Sequence, residues 1–331
     1  MPVCPSPVLT HFPIPATGGS PGAVTVAPDG AVWFTYPGTK SIGRLGPDGQ
    51  MTFLSLNGGR EAAGIATGPD GSIWFTQAPP ANPVTGEGAT SDAGIGRVAP
   101  DGAITHFPLP TSAANPMGVP GMGAGASAIV AGPDGAMWFI ETGADKVGRI
   151  TAAGVITEYD LPDRDRMHSH PQDITVGPDG AIYVTATLRS RVVRIDPASG
   201  AMTDLPPPGA QAAPFAGITA GPDGALWFSS TGDGVGRMTT SGSVKKFAVP
   251  GTDTPRAWPW DLVPGLDGTV WFIEEGGARV LRVDPQGKVS EVARFTKGSI
   301  ARSGLQQLAT ANGAVWLAEP GGNSLARITC G

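Results

Sequence analysis

Apolar and polar residues alternate along this chain in short bursts of about five positions, and the bursts recur. Residues 216–250 carry one complete unit. Ala216-Gly217-Ile218-Thr219-Ala220 reads as a small-residue strand, and Pro222-Asp223-Gly224 as a turn in which glycine supplies the positive φ. Ala225–Ser229 and Val235–Thr239 are two further strands, Ser241-Gly242 turns the chain, and Val244–Pro250 is an outer strand of period two. Proline at the close of several outer strands suits a sheet edge, where no amide donor is needed. The turn and the aromatic strand after it return seven times, marked by Trp33, Trp74, Trp138, Tyr183, Trp227, Trp271 and Trp316. Five of the six intervals between markers are 41 to 45 residues; Trp74 to Trp138 is 64 and carries insertions.

A repeat of that length made of four short strands predicts a propeller blade. One blade cannot bury both of its faces, so the blades stack around an axis. The expected fold is all-β: a seven-bladed β-propeller of four-stranded blades, with 1–331 as one domain although the length alone suggests two. The outer-strand phrase Thr10-His11-Phe12-Pro13-Ile14-Pro15 precedes the first inner strand, while the chain ends on a third strand, Leu325–Thr329. Residues near 8–15 are therefore expected to complete the seventh blade.

Composition narrows the picture. Gly (50) and Pro (34) sit at fixed turn positions, which argues for order and against low complexity. A net charge of −6 speaks against a nucleic-acid partner, and no apolar run is long enough to span a membrane. A monomer with a small-molecule substrate is expected. The two cysteines, Cys4 and Cys330, lie at opposite ends of the chain, where ring closure brings the ends together. A disulfide there would pin the seam and imply a secreted or periplasmic protein; two free thiols near frayed ends are the alternative. Met1-Pro2-Val3 has no leader character, so Met1 is expected to stand in place of a removed one.

The phrases Gly-Ile-Thr-x-Gly-Pro-Asp-Gly-Ala-x-Trp-Phe, Val-Gly-Arg-Ile-Thr and Ile-Thr-Glu-Tyr-x-Leu-Pro resemble the virginiamycin B lyase (streptogramin lyase) family over almost the whole chain, most fully in residues 129–162. The resemblance implies a seven-bladed propeller that opens a cyclic depsipeptide lactone by elimination, without water. It also implies a divalent metal (Mg, with Ca of similar oxygen chemistry), no organic cofactor, a histidine base and glutamates that bind metal or orient the base. The family's histidines precede the inner strands of repeats six and seven. Trp260 and Gln306 occupy those positions here, and no repeat has histidine at that site. The family's glutamate at the end of the second strand is kept as Glu141, Glu274 and Glu319.

Chemistry-bearing residues cluster in the loops of one face. His168 and His170 form a His-x-His pair before the fourth inner strand, a base with a helper, two metal ligands, or part of an exposed polar loop. Glu141, Glu274 and Glu319 either share a divalent cation or pair with neighbouring arginines and backbone amides; Glu274 is also a catalytic candidate. Asp173 and Asp261 replace the small residue of the inner strand, which requires either a ligand at the mouth of the channel or a buried hydrogen-bonded network. Gln172, Gln306 and Tyr36 lie at corresponding rim positions. Trp258 and Trp260 offer rings for stacking, and Arg256 and Arg189 offer paired donors for an anion. The arginine of each Gly-Arg-Ile phrase recurs too regularly to be catalytic and reads as blade architecture. Insertions 77–94 and 111–125 are lids or tolerated extra length. His11 and His106, on outer strands, read as solvated edge residues.

Two functions remain from these residues. One is a lyase or related acid–base enzyme acting on a cyclic or polyfunctional small molecule in a central pocket. The other is a ligand-binding propeller that kept the fold without the chemistry.

Overall fold

The structure is a computed structural model that describes residues 4, 6–56, 60–78, 93–110, 126–162, 169–205, 215–230, 232, 234–250, 259–296 and 307–330. Twenty-eight strands form seven antiparallel four-stranded sheets. Blades 1 to 6 take residues 24–55, 61–108, 126–160, 171–205, 215–247 and 259–294 in chain order. Blade 7 takes residues 308–330 and is completed by the N-terminal strand Pro7–Pro13, which pairs with Ser324–Cys330 from Pro7 opposite Cys330 to Pro13 opposite Ser324. Inner strands of successive blades lie against one another, and that of blade 7 against that of blade 1, so the ring closes. A Cys4–Cys330 disulfide spans 326 positions of sequence at this seam. In the chain-entropy view, so long a loop gives about 4–5 kcal/mol of stabilisation.

The repeat phrase is explained by packing between strands. In blades 1, 2, 3 and 5 the phenylalanine of the second strand lies over the glycine of the third: Phe34 on Gly43, Phe75 on Gly96, Phe139 on Gly148 and Phe228 on Gly236. A Cβ on any of these glycines would fall within 2.2 Å of the ring. In blades 4 and 7 the glycine is replaced and the facing residue is aliphatic, Val184 opposite Val193 and Leu317 opposite Ala326, whereas blade 6 keeps Phe272 opposite Leu281.

The turn aspartate and the third-strand arginine form the second device. Asp29–Arg44 (2.8 Å), Asp134–Arg149 (2.6 Å), Asp179–Arg194 (2.9 Å) and Asp223–Arg237 (2.6 Å) are salt-bridged, as are Asp70–Arg97 and Asp267–Arg282. The tryptophans of blades 3, 5 and 6 donate to the same aspartates at 3.0–3.1 Å. Burial raises the Asp134 carboxyl, but the Arg149 and Trp138 donors outweigh it and hold it below the usual range. The arginines are thus architecture, as their regularity suggests; their partner is the turn aspartate.

Side-chain hydroxyls then tie blade to blade near the axis. Thr76 donates to the carbonyl of Ser127 (3.1 Å), Thr185 to that of Ala216 (2.7 Å) and Thr142 to that of Pro171 (3.0 Å). The inner strands of blades 2 to 6 carry a register shift at this level. Such bulges re-aim the unpaired residues. Gln172, Asp173, Trp260 and Asp261 all fall in them.

Candidate active site

The face that carries the loops between second and third strands, and between one blade and the next, holds the candidate residues. His170 stands immediately before the inner strand Pro171–Val176 of blade 4. Its backbone is left-handed, φ +53°, a conformation that a histidine holds only under constraint. The constraint is visible. Asp145, in the turn of blade 3, accepts the amides of Ser169 (2.6 Å) and His170 (2.8 Å), and the His170 carbonyl accepts the amide of Thr187 (3.1 Å). Ser169 is buried and receives Arg191, which also pairs with Asp204. On this clamped backbone the imidazole is half-buried, and its Nδ1 is buried with no hydrogen-bond partner among the described residues. Asp145 and Arg191 position the histidine but follow no motif; a sequence reading misses them because their contacts cross from blade 3 to blade 4 and from turn to loop.

Asp173 and Asp261 lie in blades 4 and 6, on either side of Gly217 in blade 5. Each reaches to the next inner strand: Asp173 accepts the amide of Ile218 at 2.8 Å, and Asp261 that of Leu308. Each also accepts the amide that follows it, Ile174 (2.8 Å) and Leu262. Both residues are half-buried. Burial pushes Asp173 up to about 7, and burial together with the charge of Asp173 raises Asp261 well above the usual range. Of the two expectations for this pair, the hydrogen-bonded network is what the geometry contains. Gly217 is required between them, since a Cβ there would meet the Trp260 carbonyl at 2.5 Å.

The three glutamates end their second strands, yet they do not form an exposed ring of carboxylates. Each is buried within its own blade. Glu274 pairs with Arg279 (3.0 Å) and accepts the amides of Gly276 (3.0 Å) and Gly277 (2.9 Å). Glu319 accepts from Ser324 (2.8 Å) and lies 2.6 Å from His11 Nδ1. Glu141 has no hydrogen-bond partner at either oxygen among the described residues. Burial first, and then the nearby Glu158, push its carboxyl up to about 8. Two of the three carboxylates are therefore occupied by partners of the chain, Glu274 by a guanidinium and two amides and Glu319 by a hydroxyl and an imidazole, and the third holds a proton at neutral pH. They do not fit a shared divalent ion, and no group of three His, Cys, Asp or Glu among the described residues does.

Other expectations change on packing grounds. Tyr36 is fully buried, its hydroxyl donating to the Ala16 carbonyl and the Asn323 amide oxygen at 2.9 Å each, so it belongs to the seam between blades 7 and 1 and not to a ligand surface. His11 and His106 are not simply solvated: His106 Nδ1 lies 2.7 Å from Gln77, as His11 does from Glu319. In both blades the outer-strand histidine faces the side chain that ends the second strand. Gln172 and Trp260 are half-buried in their bulges. His168, Trp258, Arg256, Gln306, the side chain of Arg189, residues 79–92 of the insertion 77–94 and the whole of the insertion 111–125 lie outside the described residues.

Comparison with known proteins agrees with this architecture. The profile of the virginiamycin B lyase family matches residues 3–126 and 119–328. The virginiamycin B lyase of Nocardia farcinica (strain IFM 10152) is 30% identical over 166 residues, a match that spans 50% of each chain. The crystal structure of virginiamycin B lyase from Staphylococcus aureus superposes with a TM-score of 0.81 at 28% identity, covering 98% of this chain and 99% of that one. A catalytically inactive variant of the Staphylococcus aureus enzyme with quinupristin gives a TM-score of 0.81 at 29% identity over the same shares.

Proposed function

The chain belongs to the virginiamycin B lyase family, and from that premise we propose that its loop-bearing face binds a small cyclic or polyfunctional molecule and breaks a carbon–oxygen bond in it by elimination, with His170 as the proton acceptor. In that step the imidazole takes the proton from carbon, the C–H electron pair becomes a double bond, and the oxygen leaves with the C–O pair and is protonated. The observation that carries the reading is His170 itself. Its backbone is held left-handed by Asp145, and its buried Nδ1 has no hydrogen-bond partner among the described residues. Constraint of this kind collects at functional sites, and imidazole is the side chain suited to proton transfer near neutral pH. Trp260, half-buried on the bulge of blade 6, is the described residue that would offer an apolar wall to the bound molecule. The Cys4–Cys330 bond fits folding in an oxidising compartment, outside the cytoplasm.

Quinupristin, the ligand named for the Staphylococcus aureus relative, is the probe. Elimination should give a ring-opened product of unchanged mass, whereas hydrolysis would add a water. His170→Ala should slow turnover by about 10²–10⁴-fold with binding retained. A product heavier by one water, or an alanine variant at wild-type rate, sinks the assignment. The second reading, binding without chemistry, is favoured by Trp260 and Gln306 at the family's histidine positions; saturable quinupristin binding without turnover would establish it.

A further inference from the structure

On the opposite face, three junctions between blades share a ring contact that the junction of blades 1 and 2 lacks; blades 4 and 6 carry Leu205 and Ala293 at the same register position. In blades 2, 3 and 5 the outer strand carries an aromatic ring that stacks on the tryptophan of its own blade. The pairs are Trp74–Phe107 (5.8 Å, 20°), Trp138–Tyr159 (5.7 Å, 13°) and Trp227–Phe247 (5.6 Å, 19°). The same ring covers the glycine in the last turn of the next blade. A Cβ added at Gly154, Gly200 or Gly287 would meet Phe107, Tyr159 or Phe247 at 2.3, 2.4 and 2.0 Å. One ring thus joins an indole to a glycine across each junction.

Blade 1 has Leu54 at that register position, opposite Ile42 just as Phe107 is opposite Ile95. Two independent signs mark the missing ring. Trp33 is half-buried, where Trp74, Trp138 and Trp227 are fully buried, and an added Cβ at Gly102 in blade 2 would meet nothing within 4 Å. A cavity of about 790 Å³ opens between them, lined by Trp33, Leu54, Asp101 and Gly102. At the junction of blades 7 and 1, where Phe12 lies tilted by 39° beside Trp316 (5.2 Å) and an added Cβ at Gly49 likewise meets nothing within 4 Å, the cavity is about 270 Å³. Arg44 lies over the Trp33 ring at 5.8 Å, as Arg97 lies over Trp74, so the arginine side of the indole is taken and the side toward Leu54 is open.

The rim sets the charge of the occupant. Asp29 and Asp70 are neutralised by Arg44 and Arg97. Asp101 is exposed beside Gly102 and accepts only the amide of Ala103 (3.0 Å) among the described residues. We propose that this groove is a second binding site, which takes the ring of an arylalkylamine between Trp33 and Gly102, in the slot that a phenyl ring fills in blades 2, 3 and 5, with its ammonium against Asp101. The ring gains an indole face and the walls of a preformed slot, and the ammonium gains the one carboxylate without an ion pair. The slot lies on the face opposite His170, so binding there is independent of the elimination proposed above.

Phenethylamine titrated into the full chain, followed by NMR, tests the site. Saturable shifts are expected, with affinity at least tenfold weaker in Leu54→Phe, which refills the slot with the repeat's own ring and should raise the melting temperature of the unliganded protein. Asp101→Asn should weaken phenethylamine several-fold and leave neutral 2-phenylethanol unchanged. His170→Ala should leave the titration as it is. No saturable binding to the wild type, or equal affinity in a folded Leu54→Phe variant, overturns the site; 2-phenylethanol binding as tightly as the amine overturns the role of Asp101.

Discussion

Blades 3 and 6 end their second strands on the same four residues, Trp138-Phe139-Ile140-Glu141 and Trp271-Phe272-Ile273-Glu274, yet their glutamates meet different fates. Both carboxyls are removed from solvent. Glu274 is opposite Arg279, whose guanidinium folds back on it, and the glycines of the following turn offer two amides. Glu141 is opposite Lys146, but the ammonium reaches outward to Asp160 at 2.5 Å. The turn after Glu141 spends its acidic residue, Asp145, on the amides of Ser169 and His170. A forked guanidinium reaches two partners from one position, whereas a point-like ammonium follows the stronger local field. An identical phrase therefore gives a saturated ion pair in one blade and an orphaned acid in the other.

The largest test removes the satisfied partner. Glu274→Ala leaves Arg279 buried without its counter-charge and should cost about 3–5 kcal/mol in urea unfolding. A loss below about 1 kcal/mol would mean the pair is not what distinguishes blade 6.

The orphan should show itself through pH. Glu141 keeps its proton up to about 8 in the folded chain and releases it near 4.5 when unfolded, so folding takes up a proton between these values. Its contribution is intact at acid pH and is lost as pH rises through 8. Glu141→Gln cannot ionise. It should lie within about 1 kcal/mol of wild type near pH 4 and exceed it by roughly 2–4 kcal/mol at pH 9. A difference that does not change with pH would refute the orphan.

Asp173 extends the same contrast to the channel, because it too is raised but has two amide partners. Asp173→Asn replaces one accepting oxygen by a donor and should cost about 1–2 kcal/mol at pH 5. The cost should shrink toward pH 8, where the wild-type carboxyl has been forced to ionise, and a thermal melt at the two pH values reads it. Lys146→Arg gives blade 3 the guanidinium of blade 6. A gain of about 1 kcal/mol at pH 9, absent in the Glu141→Gln background, is the smallest effect and the most direct check on the comparison.

The ring was legible in the sequence because its causes are local. The turn, the alternation and the Phe-over-Gly contact all repeat within one blade, and the seam followed from a fourth strand lying before the first. The site was legible only in part. His170 could be named, since histidine is rare in this chain, but neither its left-handed backbone nor Asp145 leaves a trace in spacing. Tyr36 and the glutamates looked like rim residues because each ends a strand at the loop-bearing face. Burial decided otherwise, because the space between blades swallows side chains that a single blade would expose.

Sequence alone determined the strand pattern and the sevenfold count, each set by period and turn chemistry, and it pointed to the pairing of the terminal cysteines that the structure contains. Only the tertiary structure decided which polar groups have partners. That depends on what the facing strand or the neighbouring blade presents: from the same blade an arginine for Glu274 and a lysine turned away from Glu141, and from the neighbouring blade a ring for Gly154 and an open slot for Gly102. Repetition fixes a residue's place within its blade, but its electrostatics depend on which side chains reach that place in three dimensions.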